Sequence, residues 1–269
     1  MTGAGSLIAA NYIYNKAKPD GLTVGNWIGP QMLQALIGGK GRKFDSRKFG
    51  WLGVPVEDTG VSALTKQSGI LNAQDWLKSK EPVKLGATGP GSTTDDPPKI
   101  MTSATPFPIK VVEGYGGTAR IRVAAERGEV AGGCWAWQSI KPTWRQGLES
   151  GNVRVVLKFS DHADLKDVPS VYKFAKTAQD KKLLDVANDA YGSIARPYSL
   201  PPGVPAERVK ILQEAFMDTL KDPALLAEAA KAKIEVNPHD GAWVAKKVAN
   251  LNQMDDKMRS LLKELIVPK

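Results

Sequence analysis

The chain has 269 residues, 42% of them hydrophobic and 24% charged, with a formal net charge of +9; this is enough chain for one large domain or two lobes with a real core. No apolar run reaches the roughly 18 to 20 residues that a membrane-spanning helix needs, and the start, MTGAGSLIAANYIYN, lacks the basic segment and apolar core of a signal peptide. The basic residues are interleaved with acids, with only short clusters at 40–44 and 181–184, so the excess reads as a solvated surface with a general pull on anions and not as a nucleic-acid footprint.

Residues 5–17 carry Leu7, Ile8, Tyr12 and Ile13 at helical spacing. A turn at 19–21 (PDG) leads to a strand over 22–29 that runs into a loop, then a helix over 30–39 stopped by glycine. Residues 49–58 and 61–68 read as strands, and 72–80 as a short helix with Asn72 at its cap. A strand over 83–87 enters a glycine-rich turn that opens a helix. A strand over 109–115, a helix over 117–128, a strand over 130–135, a helix over 138–150 and a strong strand over 153–160 follow. This alternation predicts an α/β architecture with largely parallel sheets. Beyond about residue 194 the pattern turns helical, with amphipathic helices over 201–222, 223–233 and 239–266. Their aromatic and methionine residues are expected in the core.

Two turns carry the chemistry. The first, GATGPGST (86–93), comes close to the phosphate-binding pattern G-x-x-x-x-G-K-[ST], with Gly86 and Gly91 correctly spaced, but Ser92 stands where the phosphate-reaching lysine belongs. What remains is the physics of a strand-to-helix turn. Free backbone N–H groups and the helix dipole favour an anion, and the glycines let a ligand approach closely. Thr88, Gly89, Pro90, Gly91, Ser92, Thr93 and Thr94 form this candidate site. Asp95 and Asp96 conflict with it, since two carboxylates in the first helical turn already occupy that field. A self-capped turn with no ligand is the competing explanation.

A second such turn follows the 109–115 strand, with Tyr115, Gly116, Gly117 and Thr118. The two turns are expected side by side at the carboxyl edge of one sheet, where open α/β sheets hold ligands. Trp135 and Trp137 form a possible third wall, although core packing accounts for each tryptophan equally well. The lone cysteine, Cys134, allows no intramolecular disulfide and no cysteine metal cluster. The histidines, His162 and His239, have no metal partners nearby in sequence, and no H-E-x-x-H, G-x-S-x-G or dinucleotide fingerprint is present. The expectation is a binding protein with no catalytic residues, metal or cofactor.

Five segments carry a family likeness: GAGSLIAANYIYNKAKPDGLTVG (3–25), FDSRKFGWLG (44–53), the 83–96 turn, VVEGYGGTARIRVAAERGEVAGG (111–133) and LPPGVPAERVKILQEAF (200–216). Together, in this order, they resemble the extracytoplasmic solute-binding receptors of tripartite tricarboxylate transporters, the Bug family. The resemblance implies two α/β lobes joined by a hinge around a central cleft, a type II periplasmic-binding-protein architecture. It implies a small carboxylate or related solute held largely by backbone N–H groups, delivery to membrane permease subunits, and a periplasmic location. Carried over to this chain, it adds a first-lobe loop at Asn26, Trp27, Ile28 and Gly29. Arg196, where the chain is expected to recross to lobe one, is a further candidate for a cationic contact. Lobe one is expected over 1–59 and 194–269, and lobe two over 60–193.

The departures from the family pattern are Thr2, where proline is usual, Ala131 in place of an acidic residue, and the lack of the signal peptide, first strand and glycine loop that normally precede this region. Lobe one is therefore expected to have a gapped sheet with an exposed strand edge. Two other functions fit the same residues: a ligand sensor for a signalling partner, and a phosphate-handling α/β enzyme using the 86–93 turn. Trp27, Trp135 and Trp137 would suit an aromatic or larger acid if any of them faced the ligand.

Overall fold

The structure, a computed structural model, describes Met1 and residues 4–267; Thr2, a departure from the family pattern, and Gly3, the first residue of the likeness, lie outside the described residues. The chain divides into two compact units. Unit 1 comprises Met1–Glu57 and Ser193–Lys263, and unit 2 comprises Asp58–Gly192 with the chain from Glu264 onward.

Unit 1 begins with α1 (Leu7–Asn15), β1 (Gly25–Asn26), α2 (Pro30–Leu36) and β2 (Gly50–Val54). Unit 2 follows with β3 (Gly60–Thr65), α3 (Ala73–Leu77), β4 (Val83–Gly86), α4 (Asp96–Ala104), β5 (Ile109–Val112) and α5 (Thr118–Glu126). It continues through β6 (Gly132–Ala136), α6 (Trp137–Thr143), α7 (Arg145–Glu149), β7 (Val153–Lys158) and α8 (Ala178–Asn188). After a π-helical turn over Asp189–Ser193 come β8 (Tyr198–Leu200), α9 (Ala206–Thr219), α10 (Pro223–Lys231), β9 (His239–Asp240), α11 (Gly241–Asn252) and α12 (Asp256–Ile266).

The mixed α/β class is as expected, but the largely parallel sheets are not. The sheet of unit 1, in order β1-β8-β2-β9, is antiparallel throughout. In unit 2, ordered β5-β4-β6-β3-β7, β4 runs parallel to β5 and β6, while β3 runs against both β6 and β7. Alternating strands and helices give a parallel sheet only where a crossover helix joins neighbouring strands. Here β8 arrives after the whole of unit 2, and β3 sits between two strands that come much later in the chain. The edges of the unit 1 sheet, β1 and β9, are two residues each, too short to template pairing with another chain.

Two predicted helices are divided. The 138–150 helix breaks at Trp144, whose backbone leaves the helical region and whose ring is buried. The 239–266 helix stops at Gln253, and Asp255 then caps α12 by accepting the Met258 N–H at 2.7 Å. Both breaks trade a turn of helix for the burial of a side chain or a new cap.

In unit 1 an aromatic cluster ties the loop after β1 to β2. Trp27 lies 5.2 Å from Phe49 and 5.6 Å from Trp51, centroid to centroid, with Phe44 and Tyr14 beside them. In unit 2, β6 is buried along its whole length and β3 along all but its first residue, because both faces of the sheet are covered. Ile121 and Ala125 of α5 pack there with Val61, Ala63 and Trp135.

Gly86, at the end of β4, is required by packing: a Cβ there would lie 2.8 Å from Cγ2 of Ile121. Gly86→Ala is expected to cost about 1–3 kcal/mol of stability through overpacking. On an Ile121→Ala background the same change is expected to cost less, because the shortest contact is gone and only Cε2 of Tyr115, at 3.3 Å, still crowds the new Cβ. A double-mutant cycle of denaturant unfolding measures the difference, and simple additivity of the two changes would show that Gly86 is not there for Ile121.

Candidate functional site

The β4–α4 turn is built from its own side chains. The Thr94 hydroxyl accepts the Thr88 N–H at 3.0 Å and lies 3.0 Å from the hydroxyls of both Thr88 and Ser92. The Gly91 N–H donates to Oδ1 of Asp96 at 2.9 Å, and the hydroxyl of Tyr191 donates to Oδ2 of the same carboxylate. Gly91 has φ 80° and Gly89 φ 140°, and a Cβ on Gly89 would meet nothing within 4 Å, so Gly89 serves backbone conformation and not packing. Pro97 and Pro98, at the start of α4, bring no N–H. The N–H groups of Gly89, Ser92, Thr93 and Thr94 have no hydrogen-bond partner among the described residues.

Asp95 and Asp96 are both fully buried. Oδ2 of Asp95 accepts Lys99 Nζ at 2.7 Å, and Glu113 shares that ammonium at 2.7 Å, while Oδ1 of Asp95 is buried without a partner. Burial pushes the Asp95 carboxyl up to about 7. The Lys99 ammonium opposes that rise, and the neighbouring Asp96 adds to it. The conflict seen in the sequence is thereby reduced, because near neutral pH Asp95 is partly uncharged and Asp96 faces inward to hold the turn.

The second turn lies against the first, as expected. Gly86 is in register with Val112, the Ala87 N–H donates to Val112 O at 2.8 Å, and the Tyr115 N–H donates to Ala87 O at 3.2 Å. Gly114 and Gly117 take positive φ, and the N–H groups of Gly116, Gly117 and Thr118 have no partner among the described residues. The ring of Tyr115 is half-buried against the core. Two loops with open amides thus stand at one sheet edge.

In unit 1 the loop after β1 is arranged differently. The Trp27 ring is 2% exposed and its indole N–H donates to Ser199 Oγ at 2.9 Å. The Ile28 N–H donates to Ser6 Oγ at 2.8 Å and the Gly29 N–H to Ala195 O at 3.1 Å, and the Asn26 amide reaches Pro197 O at 3.2 Å. The Trp27 indole, the Ile28 and Gly29 N–H groups and the Asn26 side-chain amide are thus bonded within unit 1. Arg196 is exposed in the segment before β8.

Trp135 and Trp137 are core residues: Trp135 stacks on Trp144 at 5.7 Å, and Trp137 donates to Asp164 Oδ2 at 3.0 Å. A cavity of about 20 Å³ lies beside the first turn, lined among others by Thr93, Pro97, Cys134, Trp135 and Tyr191, with room for about one water-sized group. Cys134 is buried, 3.0 Å from the Ser62 hydroxyl, and burial pushes its thiol up to about 12. His162 caps a turn by accepting the Asp164 N–H, and His239 stacks on Trp243 at 4.0 Å. Among the described residues no group of His, Cys, Asp and Glu could hold a metal ion. The sequence contains no local signal for Tyr191, which meets Asp96 from a position 95 residues away.

No protein-family model and no curated protein matches the sequence. Solved structures match its fold. The fold is similar to that of a TctC solute-binding protein from Polaromonas, at TM-score 0.70 and 15% identity, covering 98% of this chain and 85% of that one. It is similar to MatC from Rhodopseudomonas palustris with bound malate, at TM-score 0.70 and 16% identity over 97% of this chain and 86% of that one. It is also similar to a protein from the same organism with adipate, at TM-score 0.69 and 16% identity over 100% of this chain and 86% of that one. The chain therefore has the two-lobe α/β fold of solute-binding proteins.

Two outcomes follow from the buried groups. Cys134 is expected to resist alkylation by iodoacetamide at pH 8 in the native protein and to react fully once unfolded, as read by mass spectrometry. The folded pKa of Asp95, about 7, lies above its ordinary 3.8, so the folded chain binds this proton more tightly than the unfolded chain. The stability it contributes is complete below about pH 4 and is lost as pH rises through 7. Asp95→Asn is expected to flatten that part of the decline in denaturant midpoints measured from pH 4 to pH 8; an unchanged slope would mean that Asp95 ionises normally.

Proposed function

We propose that this protein is an extracytoplasmic solute-binding receptor of the tripartite tricarboxylate transporter type, capturing a small carboxylate without catalysis and handing it to membrane permease subunits. The observation that carries this is the pair of adjoining turns at the carboxyl edge of the unit 2 sheet. Their N–H groups without a partner, at Gly89, Ser92 and Thr93 and at Gly116, Gly117 and Thr118, are the donors a carboxylate needs. The similarity in fold to structures holding malate and adipate supports the same ligand class. Ser92 in place of the phosphate-loop lysine, and the engagement of Lys99 by Asp95 and Glu113, speak against phosphoryl transfer at this turn. The family resemblance supports a site of action outside the cytoplasm.

The fold similarity does not select the solute, so the test is a thermal-shift series with malate, adipate and citrate against an amine and a sugar. A ligand present at 100 times its Kd contributes about 2.7 kcal/mol to folded stability, and at about 2–4 °C per kcal/mol the melting temperature should rise by roughly 5–11 °C. At least one carboxylate is expected to give such a shift and to be recovered chemically unchanged. A shift with the amine or the sugar and none with any acid would overturn the assignment.

A further inference from the structure

The sequence places an aspartate where it should repel an anionic ligand, yet in the structure that side chain makes no open charge. Asp96 is fully buried and both of its oxygens are engaged: Oδ1 takes the Gly91 N–H at 2.9 Å, and Oδ2 takes the hydroxyl of Tyr191, itself 5% exposed. Gly91 sits at φ 80°, a conformation that ordinary residues adopt only at a cost. Its N–H is thus turned inward to the carboxylate, whereas the N–H groups of Ser92, Thr93 and Thr94, which follow directly, have no partner among the described residues.

Tyr191 belongs to the π-helical turn over Asp189–Ser193, directly after α8, which packs on α4. The carboxylate therefore joins three pieces of backbone: the glycine turn, the first residue of α4 and the end of the α8 segment.

We infer that Asp96 and Tyr191 are positioning residues for the 88–94 loop: the Tyr191 hydroxyl holds the Asp96 carboxylate, which holds the Gly91 amide and so sets the direction of the open amides that follow. A hydrogen bond from a fixed donor to a buried carboxylate is charge-assisted and directional, and a loop held in its binding geometry loses less freedom when the ligand arrives. The sensitivity of ligand affinity to these two residues rests on the carboxylate-receptor function proposed above; the anchoring of Gly91 does not.

The experiment has two arms. The first needs no ligand: amide hydrogen exchange of Gly91, read by NMR, in the wild type, Asp96→Asn, Asp96→Ala and Tyr191→Phe. Gly91 is expected to be protected in the wild type and in Asp96→Asn, whose amide oxygen still accepts the bond. It is expected to exchange at least tenfold faster in Asp96→Ala, with Tyr191→Phe in between. Equal exchange in all four overturns the anchor.

The second arm is calorimetric titration with malate and adipate. Affinity should fall at least tenfold in Asp96→Ala and several-fold in Tyr191→Phe, and should recover to within about threefold of wild type in Asp96→Asn, a recovery that general destabilisation would not produce. Wild-type affinity in Asp96→Ala overturns the positioning role. If Asp96→Ala does not fold, Tyr191→Phe with unchanged affinity and unchanged Gly91 exchange overturns it in its place. If the wild type binds neither acid, the carboxylate assignment fails by itself, and the exchange arm alone decides whether Asp96 anchors the loop.

Discussion

The parallel pairing of β4 and β5, with Gly86 beside Val112, is the constraint on which the candidate site depends. It brings the ends of two strands to one edge, so the turns that leave them are linked through Ala87 and Tyr115. That pairing sits beneath α5 only because position 86 has no side chain: Ile121 occupies the space where a Cβ would stand. A backbone held this tightly on one side can leave its amides open on the other without unravelling, and two such turns together present more donors than either does alone. Binding sites commonly combine a rigid support with unsatisfied polar groups in just this way.

Charge in this region is managed by burial. Two carboxylates at the start of α4 would oppose an anion if both were exposed and ionised. Instead Asp96 accepts two hydrogen bonds from within unit 2, and Asp95 is raised by desolvation while it shares Lys99 with Glu113. The net charge of +9 adds a weak field that favours anions at a distance, whereas N–H donors at the turn act at short range, where salt screens far less.

The aromatic residues show how differently the two units use similar material. Trp27, Phe44, Phe49 and Trp51 form one cluster in unit 1, and Trp135 stacks on Trp144 in unit 2. Trp27 and Trp135 could each have faced a ligand as far as the sequence shows. Trp27 donates instead to Ser199, from a strand 172 residues later in the chain, and the Ile28 and Gly29 amides are taken by Ser6 and Ala195. Contacts of such sequence separation leave no periodic trace; the 26–29 loop is a ligand loop by the family resemblance, and in the structure its indole and two of its amides are bonded within unit 1.

What the sequence determined by itself was local. Hydrophobic period, proline and glycine placement and cap residues located most of the helices and strands, and the glycines at 86–91 and 116–117 marked both turns, because these signals act within a few residues. Tertiary structure alone decided strand direction, since β3 and β8 pair with strands far away in the chain and run against them. It also decided the fate of Asp95 and Asp96. A carboxylate is a repellent or an anchor according to what surrounds it, and what settles this, the burial of Asp95 and the hydroxyl of Tyr191 on Asp96, comes from other elements of the fold.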